Sequence, residues 1–264
     1  TEKAGDPNDP FAGLKGLSLF LVPLYRDEDD GTRTWLGSID RIEEKMGQHG
    51  SATCSITFDK TPAFLLGERG EGFKLMLLLM NNARISVACE SLGICESAVR
   101  MARAYAEERP SMGKTIDRHE MIADMLDEME NDILGIRALT MAAAEAEEVS
   151  RRMGILAKAK ADHGMPADVE AARREREMAR RARRYTPMVK YIASEKACEM
   201  ARRTIQILGG VGYITEYGAE KLLRDALVFP IYEGTSQIQA LMVMKDTLTR
   251  ILKHPADLVS RRAQ

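Results

Sequence analysis

One carboxylate in this sequence stands where a turn meets the start of a helix. Glu233 is followed by Gly234, which frees the backbone because it carries no Cβ. Pro230 ends any preceding helix, since proline lacks an N–H group and clashes with the previous turn. Thr235 and Ser236 can cap the next helix through their hydroxyl groups. The pattern predicts a tight turn whose acid suits a general base, and an acid that only complements the helix dipole fits the same residues.

Long amphipathic helices are predicted on both sides of this turn. After Gly72, apolar residues recur at steps of three and four, which is typical of a helix with one buried face. This first stripe consists of Ile85, Ala88, Leu92, Cys95, Val99, Ala102 and Ala106. A second stripe, on a helix expected to end near Arg152, consists of Ile122, Leu126, Met129, Ile133 and Ile136. Pro187 favours the start of a third helix, a short helix follows near 219–224, and the last begins at Ser236.

The N-terminal part predicts a few strands. Residues 17–22 form a short apolar run that we expect to be a buried strand, and residues 27–31 form an acidic hairpin tip. Residues 32–39 are predicted as the return strand, and the alternating residues 51–58 as another strand. The predicted fold class is therefore mainly α: an antiparallel four-helix-bundle C-terminal domain over 67–264, preceded by a partial small β-domain over 1–66.

Arginines and glutamates interleave between the second and third predicted helices. Ion pairs three and four residues apart would stabilise a helix there. Because the charges are mixed and no aromatic residues are interleaved, a solvated helix is favoured over a nucleic-acid surface. The arginines of this stretch are Arg173, Arg174, Arg176, Arg180, Arg181, Arg183 and Arg184.

The overall charge gives no general attraction to nucleic acid or an anionic membrane. Lys and Arg number 38 against 40 Asp and Glu, a net charge of -2. No signal peptide or membrane span is evident. The cysteines contain no CxxC pair, which argues against a zinc site or a disulfide framework, and Cys89 and Cys95 are expected to be buried. We expect a cytoplasmic protein.

Several segments resemble the acyl-CoA dehydrogenase family. IYEGTSQIQ is similar to the family's active-site segment, whose glutamate is the catalytic base. GLSLFLVP, RIEEKMGQHGSATCSITFD and LLGERGEGF resemble, in order, the second half of its β-domain. The resemblance implies FAD-dependent α,β-dehydrogenation of an acyl-CoA thioester, as in fatty acid β-oxidation. Glu233 would abstract the α-proton while the flavin takes the β-hydride, and the Glu233 backbone N–H and a flavin ribose hydroxyl would bind the thioester carbonyl.

Two further motifs imply FAD contacts. ERPSMGK resembles the family's ERxxFGK, so Arg109 would reach the flavin diphosphate of a neighbouring subunit, with Met112 replacing the usual phenylalanine. QILGGVGY resembles QxxGGxG, whose bare backbone approaches the adenine half. The other residues implied to touch FAD are Gln206, Gly209, Gly210, Thr235 and Gln237.

The substrate residues follow from MNNARISVA, which resembles the start of the family's first bundle helix. Arg84 and Asn81 would bracket the pantetheine arm, although an Asp is common where Asn81 stands. Ala83 occupies the position where some members place the catalytic glutamate, which leaves Glu233 as the base. Tyr232 and Gly234 complete the implied substrate site.

The resemblance also implies partners. We expect an electron-transfer flavoprotein as acceptor and a homo-oligomer, either a dimer or a tetramer, without nucleic acid or a membrane span. Alternatives are an acyl-CoA oxidase that uses oxygen, and a non-catalytic helical scaffold or DNA-binding homologue. Residues 152–185 resemble an insertion relative to compact members. The chain begins with Thr1, and the family's N-terminal helical domain and first half of the β-domain are not matched, so a fragment that binds FAD poorly or not at all is expected.

Overall fold

The structure is a computed structural model that describes residues 13–253. The chain divides into two compact units, residues 1–80 and 81–264. The long helix α1, Gly72–Glu108, begins in the first unit and supplies the first helix of the second. The domain boundary between residues 66 and 67 stays a prediction.

Between residues 13 and 80, the N-terminal unit contains three two-stranded antiparallel sheets. Strand β1 pairs with β6, β2 with β3, and β4 with β5. Their bounds are Leu19–Leu21 (β1), Tyr25–Asp27 (β2), Arg33–Trp35 (β3), Ser38–Ile42 (β4), Cys54–Thr57 (β5) and Phe64–Leu66 (β6). A 3-10 turn, Gly13–Gly16, precedes them.

The predicted acidic hairpin tip is confirmed, but the predicted return strand is too long. Tyr25–Asp27 and Arg33–Trp35 flank the acidic turn, where Thr32 O accepts a hydrogen bond from Glu28 N–H. The predicted return strand over 32–39 is broken, because the chain turns at Gly37 and starts β4 beside β5. A Cβ at Gly37 would lie 3.3 Å from Leu24 Cδ2, so the close packing of this turn favours glycine.

The first predicted strand is shorter and less buried than expected. It covers Leu19–Leu21 and pairs with Phe64–Leu66, a strand that the sequence patterns did not reveal. Phe20 and Leu21 are 52% and 58% exposed. A sheet of two strands has too little area to bury the side chains on both of its faces, which explains the difference.

The C-terminal unit is an antiparallel bundle of four long helices, as predicted. After α1 come a small hairpin, β7 and β8, and a 3-10 turn. Helices α2 and α3 are joined by residues 163–168, and two 3-10 segments precede α4 and α5. The bounds are Pro110–Ser111 (β7), Lys114–Thr115 (β8), Ile116–Arg118 (3-10), Glu120–Asp162 (α2), Val169–Leu208 (α3), Gly209–Tyr213 and Thr215–Tyr217 (3-10), Ala219–Ala226 (α4) and Ser236–Lys253 (α5).

Ion pairs between helices show that neighbouring helices run antiparallel. As the residue number rises along one helix, the number of its partner on the next helix falls, as antiparallel packing requires. These pairs are Arg137–Glu96 and Arg103–Glu130 between α1 and α2, and Arg203–Glu128 and Lys196–Asp132 between α2 and α3. Helix α5 is tied to α3 by Arg183–Asp246.

The predicted core stripes are confirmed. Six of the seven residues of the first stripe are buried and Leu92 packs against them, while Leu126, Met129, Ile133 and Ile136 of the second are buried. Cys95 is buried as expected. Cys89 is exposed, which corrects the expectation for that thiol, because it lies off the stripe that faces α2 and α3.

Pro187 does not start a helix, which corrects the third-helix prediction. It lies buried inside α3, whose N-cap is Asp168: the Asp168 carboxylate accepts a hydrogen bond from Ala171 N–H at 3.0 Å. Residues 152–185 are therefore the end of α2, a turn and the first part of α3. The predicted helical ion pairs are present as Arg173–Glu170 and Arg181–Glu177.

The part of the chain that the structure describes contains neither a membrane-spanning helix nor a metal site. No described helix is both long and apolar enough to span a bilayer. No group of three or more His, Cys, Asp or Glu residues among positions 13–253 is arranged to hold a metal ion.

Candidate active site

The predicted turn before α5 is present and unusually shaped at Glu233. Glu233 has a φ of 54° and Gly234 a φ of 91°, both in the left-handed region. A non-glycine residue there is strained by about 1 kcal/mol or more, so surrounding contacts must hold it. The segment folds back on itself, because Pro230 O accepts a hydrogen bond from Ser236 N–H at 2.9 Å. Thr235 Oγ1 faces Ile238 N–H at 3.5 Å, at the first turn of α5.

Three buried donors hold the carbonyl groups of this turn, and we call Arg84, Lys190 and Gln239 the carbonyl clamp. Arg84 Nε and Gln239 Nε2 lie 3.2 Å and 3.3 Å from Glu233 O. Lys190 Nζ donates to Gly234 O at 2.8 Å and to Phe229 O at 2.7 Å. Gln239 also donates to Gly234 O at 3.1 Å. The carbonyl clamp therefore stabilises the strained backbone from the bundle interior.

Gly234 is required in this arrangement for a second reason. A Cβ at that position would lie 2.5 Å from Gln239 Nε2. Such a distance is shorter than any normal contact, so an alanine would displace the glutamine side chain from the carbonyl clamp. The glycine therefore serves both the left-handed backbone and the close approach of a donor.

The carbonyl clamp places two cations close to Glu233. Burial lowers the pKa of Arg84, and Glu233 opposes that shift. Burial is also the largest cause that lowers the pKa of Lys190 to about 8, with Arg84 adding to it while Glu195 and Glu233 oppose it. The Glu233 carboxylate thus lies in the field of two positive groups whose hydrogen bonds go to other atoms.

Glu233 keeps its own chemical groups available. Its amide N–H and its carboxylate form no hydrogen bond with another residue between 13 and 253, and its side chain is half-buried. A free N–H group beside a free carboxylate can bind a carbonyl oxygen while the acid removes a proton from the adjacent carbon.

Tyr232, just before Glu233, is held between two elements. Its ring stacks on Phe229 with centroids 6.0 Å apart, and its hydroxyl donates to Glu90 Oε2 at 2.5 Å. Burial, and then the hydrogen bond to Glu90, raise the pKa of Tyr232. Asn81 Oδ1 accepts a hydrogen bond from Arg84 Nη1 at 3.3 Å. The structure therefore brings the residues predicted for substrate, Asn81, Arg84, Tyr232 and Gly234, together with Glu233.

The residues predicted for the cofactor fall into two separate groups. Thr235 and Gln237 adjoin Glu233 in sequence, whereas Arg109 follows the far end of α1. With a helical rise of about 1.5 Å per residue, Arg84 and the last residue of α1 are about 36 Å apart. Arg109 therefore lies beyond one end of α1, far from the turn that Arg84 contacts.

The distant group is exposed and suits an anionic dinucleotide. Arg109 is exposed and forms no ion pair with any residue that the structure describes. Met112 is 93% exposed at the tip of the β7–β8 hairpin. Gln206 is exposed, and a Cβ at Gly209 or Gly210 would meet nothing within 4 Å. A free guanidinium, an apolar tip and an open glycine backbone match the charge and the flat rings of FAD.

These exposed segments lie at one end of the bundle. The ring of Tyr105, near the end of α1, meets the ring of Tyr217 edge to face, with centroids 6.5 Å apart. Tyr217 closely follows the glycine segment in the chain. Arg109 and the 206–210 segment therefore belong to the same region.

Sequence reasoning missed the two residues that hold the turn most directly. Lys190 and Gln239 are fully buried polar side chains. A signal for Lys190 was present, because it falls in the same helical stripe as Thr186, Ala193 and Ala197, at steps of three and four. Gln239 carried no such signal, since one glutamine near a helix start is ordinary.

The chain matches one family model, described as acyl-CoA dehydrogenase, C-terminal domain, over residues 70–165 and 166–248. It is 30% identical over 238 residues to the short-chain-specific acyl-CoA dehydrogenase of Clostridium acetobutylicum, covering 89% of this chain and 53% of that protein. It is 34% identical over 232 residues to the human mitochondrial short-chain-specific enzyme, covering 87% of this chain and 47% of that one.

The fold agrees with these similarities. The structure of butyryl-CoA dehydrogenase from Megasphaera elsdenii superposes with a TM-score of 0.65 at 26% sequence identity, over 88% of this chain and 55% of that one. The chain spans about half the length of the curated relatives that it matches.

Proposed function

The chain belongs to the acyl-CoA dehydrogenase family, and from this premise we propose that it contributes the base and much of the cofactor contact for α,β-dehydrogenation of an acyl-CoA thioester. The observation that supports this most is the Glu233 turn, where the carbonyl clamp leaves the N–H group and the carboxylate of one residue unpaired. Both groups are needed at a thioester whose α-proton is removed.

In the proposed mechanism, the Glu233 N–H donates to the thioester oxygen and stabilises the charge that develops there. The Glu233 carboxylate removes the α-proton. FAD, when bound, supplies the acceptor for the β-hydride. Asn81 would contact the pantetheine arm, and Arg84, which is buried, would act on it through its hydrogen bond to Asn81 Oδ1. Tyr232 and Gly234 would line the acyl group. The carbonyl clamp keeps the acid at one position, because a misplaced base loses much of its rate advantage.

The cofactor contacts support an oligomeric enzyme. Thr235 and Gln237 would touch the flavin nucleotide beside Glu233 of the same chain. Arg109 directly follows the last residue of α1, which is about 36 Å from Arg84 by helical rise, and would serve the site of a neighbouring subunit. Met112, Gln206, Gly209 and Gly210 belong to that second group. We propose a homodimer or homotetramer that passes electrons to an electron-transfer flavoprotein; a cytoplasmic location stays a prediction.

Replacing Glu233 with glutamine tests the proposed base. In the protein with FAD, we expect Glu233→Gln to lower dehydrogenation about 10²- to 10⁴-fold, because a general base contributes that much, while flavin absorbance stays unchanged. Turnover is measured with butyryl-CoA and an artificial electron acceptor. Glu170→Gln, a matched change at the exposed start of α3, is the control and keeps full activity.

Normal turnover of Glu233→Gln would reject the assignment of the base. Hydrogen peroxide formed in step with substrate consumption would show that oxygen is the electron acceptor. The protein would then be an acyl-CoA oxidase and not a dehydrogenase.

A further inference from the structure

The end of the helical hairpin formed by α2 and α3 adds almost nothing to the core of the bundle. We call residues 151–184 the hairpin arm, which comprises the last part of α2, the turn at 163–168 and the first part of α3. Only Ala182 of these residues is buried, and the last buried residue of α2 before the arm is Ala146. The proposed reaction uses none of these residues, so the exposed surface of the arm needs another explanation.

The hairpin arm is strongly basic in a chain that is slightly acidic. It contains eleven arginines and lysines against five aspartates and glutamates, which is an excess of six positive charges. Because the whole chain has a net charge of -2, the remaining residues together carry -8. A local field of this kind attracts an anionic partner even where the total charge does not.

Five arginines of the arm lie on one face of α3, and we call them the arginine stripe. Arg176, Arg180 and Arg184 follow one another at steps of four, are exposed and form no ion pair with any residue between 13 and 253. Arg173 and Arg183 lie beside them, each paired with one acid. At 3.6 residues per turn the stripe spans about 100° of the helix, and no acidic residue falls within that sector.

Exposed apolar side chains lie at the end of the same arm. Ile155 and Leu156, in about the last two turns of α2, are 58% and 56% exposed. Met165 lies in the turn and Val169 begins α3, and both are exposed. Lys158, between them in the chain, is exposed and forms no ion pair with a described residue. Aliphatic side chains among unpaired cations are typical of surfaces that lie in the headgroup layer of a bilayer.

Other anionic partners match this surface less well. Residues 151–184 contain no Phe, Trp or Tyr on which the bases of a nucleic acid could stack, and aliphatic side chains gain nothing from its phosphates. The arm of a second copy of the chain would bring like charges together. An anionic bilayer offers phosphates to the arginines and an apolar layer to the aliphatic residues.

We propose that the hairpin arm docks the protein on an anionic phospholipid bilayer, with the arginine stripe against the headgroup phosphates and the aliphatic residues at its end in the interfacial layer. Such docking is peripheral, because the arm lies on the bilayer and does not cross it. It is independent of the proposed reaction, so either can fail without the other.

Co-sedimentation with lipid vesicles tests the docking. We expect the protein to bind vesicles that contain about one third phosphatidylglycerol in phosphatidylcholine, and not vesicles of phosphatidylcholine alone. A triple variant, Arg176→Gln, Arg180→Gln and Arg184→Gln, should bind the anionic vesicles about 100-fold more weakly, because each cation near the surface contributes roughly fivefold.

A matched triple variant removes the same charge elsewhere. Arg41→Gln, Arg118→Gln and Arg202→Gln change exposed arginines outside the arm, so vesicle binding should be retained. Circular dichroism checks that both triple variants remain helical.

A change at the aliphatic residues separates a bilayer from a soluble polyanion. Ile155→Ser combined with Leu156→Ser should weaken vesicle binding roughly tenfold or more, and should leave binding to heparin unchanged. Equal loss of both would overturn the proposal, because the residues would then only support the fold of the arm.

Three other results would overturn it: no binding of the unaltered protein to anionic vesicles, equal binding by the stripe variant, and equal loss in the matched variant. If vesicles stay unbound while duplex DNA binding or self-association in the ultracentrifuge is lost with the stripe, the arm serves nucleic acid or a second copy instead.

Discussion

Lys190 shows at the residue scale how the active-site turn depends on the bundle. Its side chain is fully buried in α3, and its ammonium group donates to two main-chain carbonyls, Phe229 O and Gly234 O. A neutral amine retains two N–H donors, so both hydrogen bonds survive deprotonation. Lys190 therefore acts as a positioning residue for Glu233, and its charge is not needed for the contacts.

We expect Lys190→Met to destabilise the protein by roughly 1–3 kcal/mol, because Phe229 O loses its donor while Gly234 O keeps only the hydrogen bond from Gln239. The pH dependence has a definite sign. The folded-state pKa of about 8 lies below the ordinary value of 10.5, so the unfolded chain binds more protons between these values. Stability from this group therefore rises as the pH increases from about 8 towards 10.5, and urea unfolding of both proteins across this range measures the difference.

Lys196→Met is the matched control for this experiment. Lys196 lies on the same helix but is partly exposed and paired with Asp132 and Glu199. Its pKa is raised, chiefly by the hydrogen bond to Asp132, so its substitution should not remove the alkaline rise. A Lys190→Met variant that retained the rise in full would contradict the assignment to Lys190.

At the scale of elements, the stability of the helical hairpin formed by α2 and α3 depends on the helix caps near the turn at 163–168. Exposed ion pairs of this hairpin, such as Arg173–Glu170, contribute little to its stability because solvent screens them. Asp168 instead satisfies the Ala171 N–H at the start of α3. A helix end with unsatisfied N–H groups frays, so this one carboxylate decides where α3 begins.

Replacing Asp168 with alanine should therefore loosen the first turn of α3 by about 1 kcal/mol, which corresponds to roughly fivefold faster amide exchange there. Hydrogen exchange of residues 169–173 measures this change. Asp168→Asn, whose side-chain oxygen still caps the helix, should exchange at nearly the original rate. Unchanged exchange in Asp168→Ala would show that the cap does not limit this helix start.

At the scale of the whole molecule, the separation of Arg84 and Arg109 along α1 predicts shared active sites between subunits. Arg109→Ala and Glu233→Gln should each inactivate the pure protein. When the two variants are unfolded and refolded together, hybrids combine an intact Glu233 from one chain with an intact Arg109 from the other. Random pairing in dimers should restore about one quarter of full activity.

Two controls make this complementation decisive. Each variant refolded alone should stay inactive, and a chain that carries both substitutions should restore nothing to either variant. Inactive mixtures in which mass spectrometry shows hybrid oligomers would mean that Arg109 does not serve a neighbouring site.

The spacing of apolar residues predicted the buried faces of the helices in much of the bundle. The stripes with Ile85 and Leu126 follow the helical period, so burial could be inferred from spacing alone. Pro187 was misleading, because its preference for a first turn is local, whereas the cap at Asp168 and the packing of α3 keep it inside the helix. The strand Phe64–Leu66 was missed because its pairing with Leu19–Leu21 joins residues far apart in sequence.

By itself, the sequence determined the helical class of this protein, its family resemblance and the turn that carries Glu233, because these depend on residue types at short spacing. Only the tertiary structure decided what holds that turn. Arg84, Lys190 and Gln239 come from α1, α3 and α5, and their donors converge on two carbonyls that no local pattern connects. It also decided that Glu90 meets Tyr232 and that Arg109 lies far from Glu233, because such distances follow from how long helices pack.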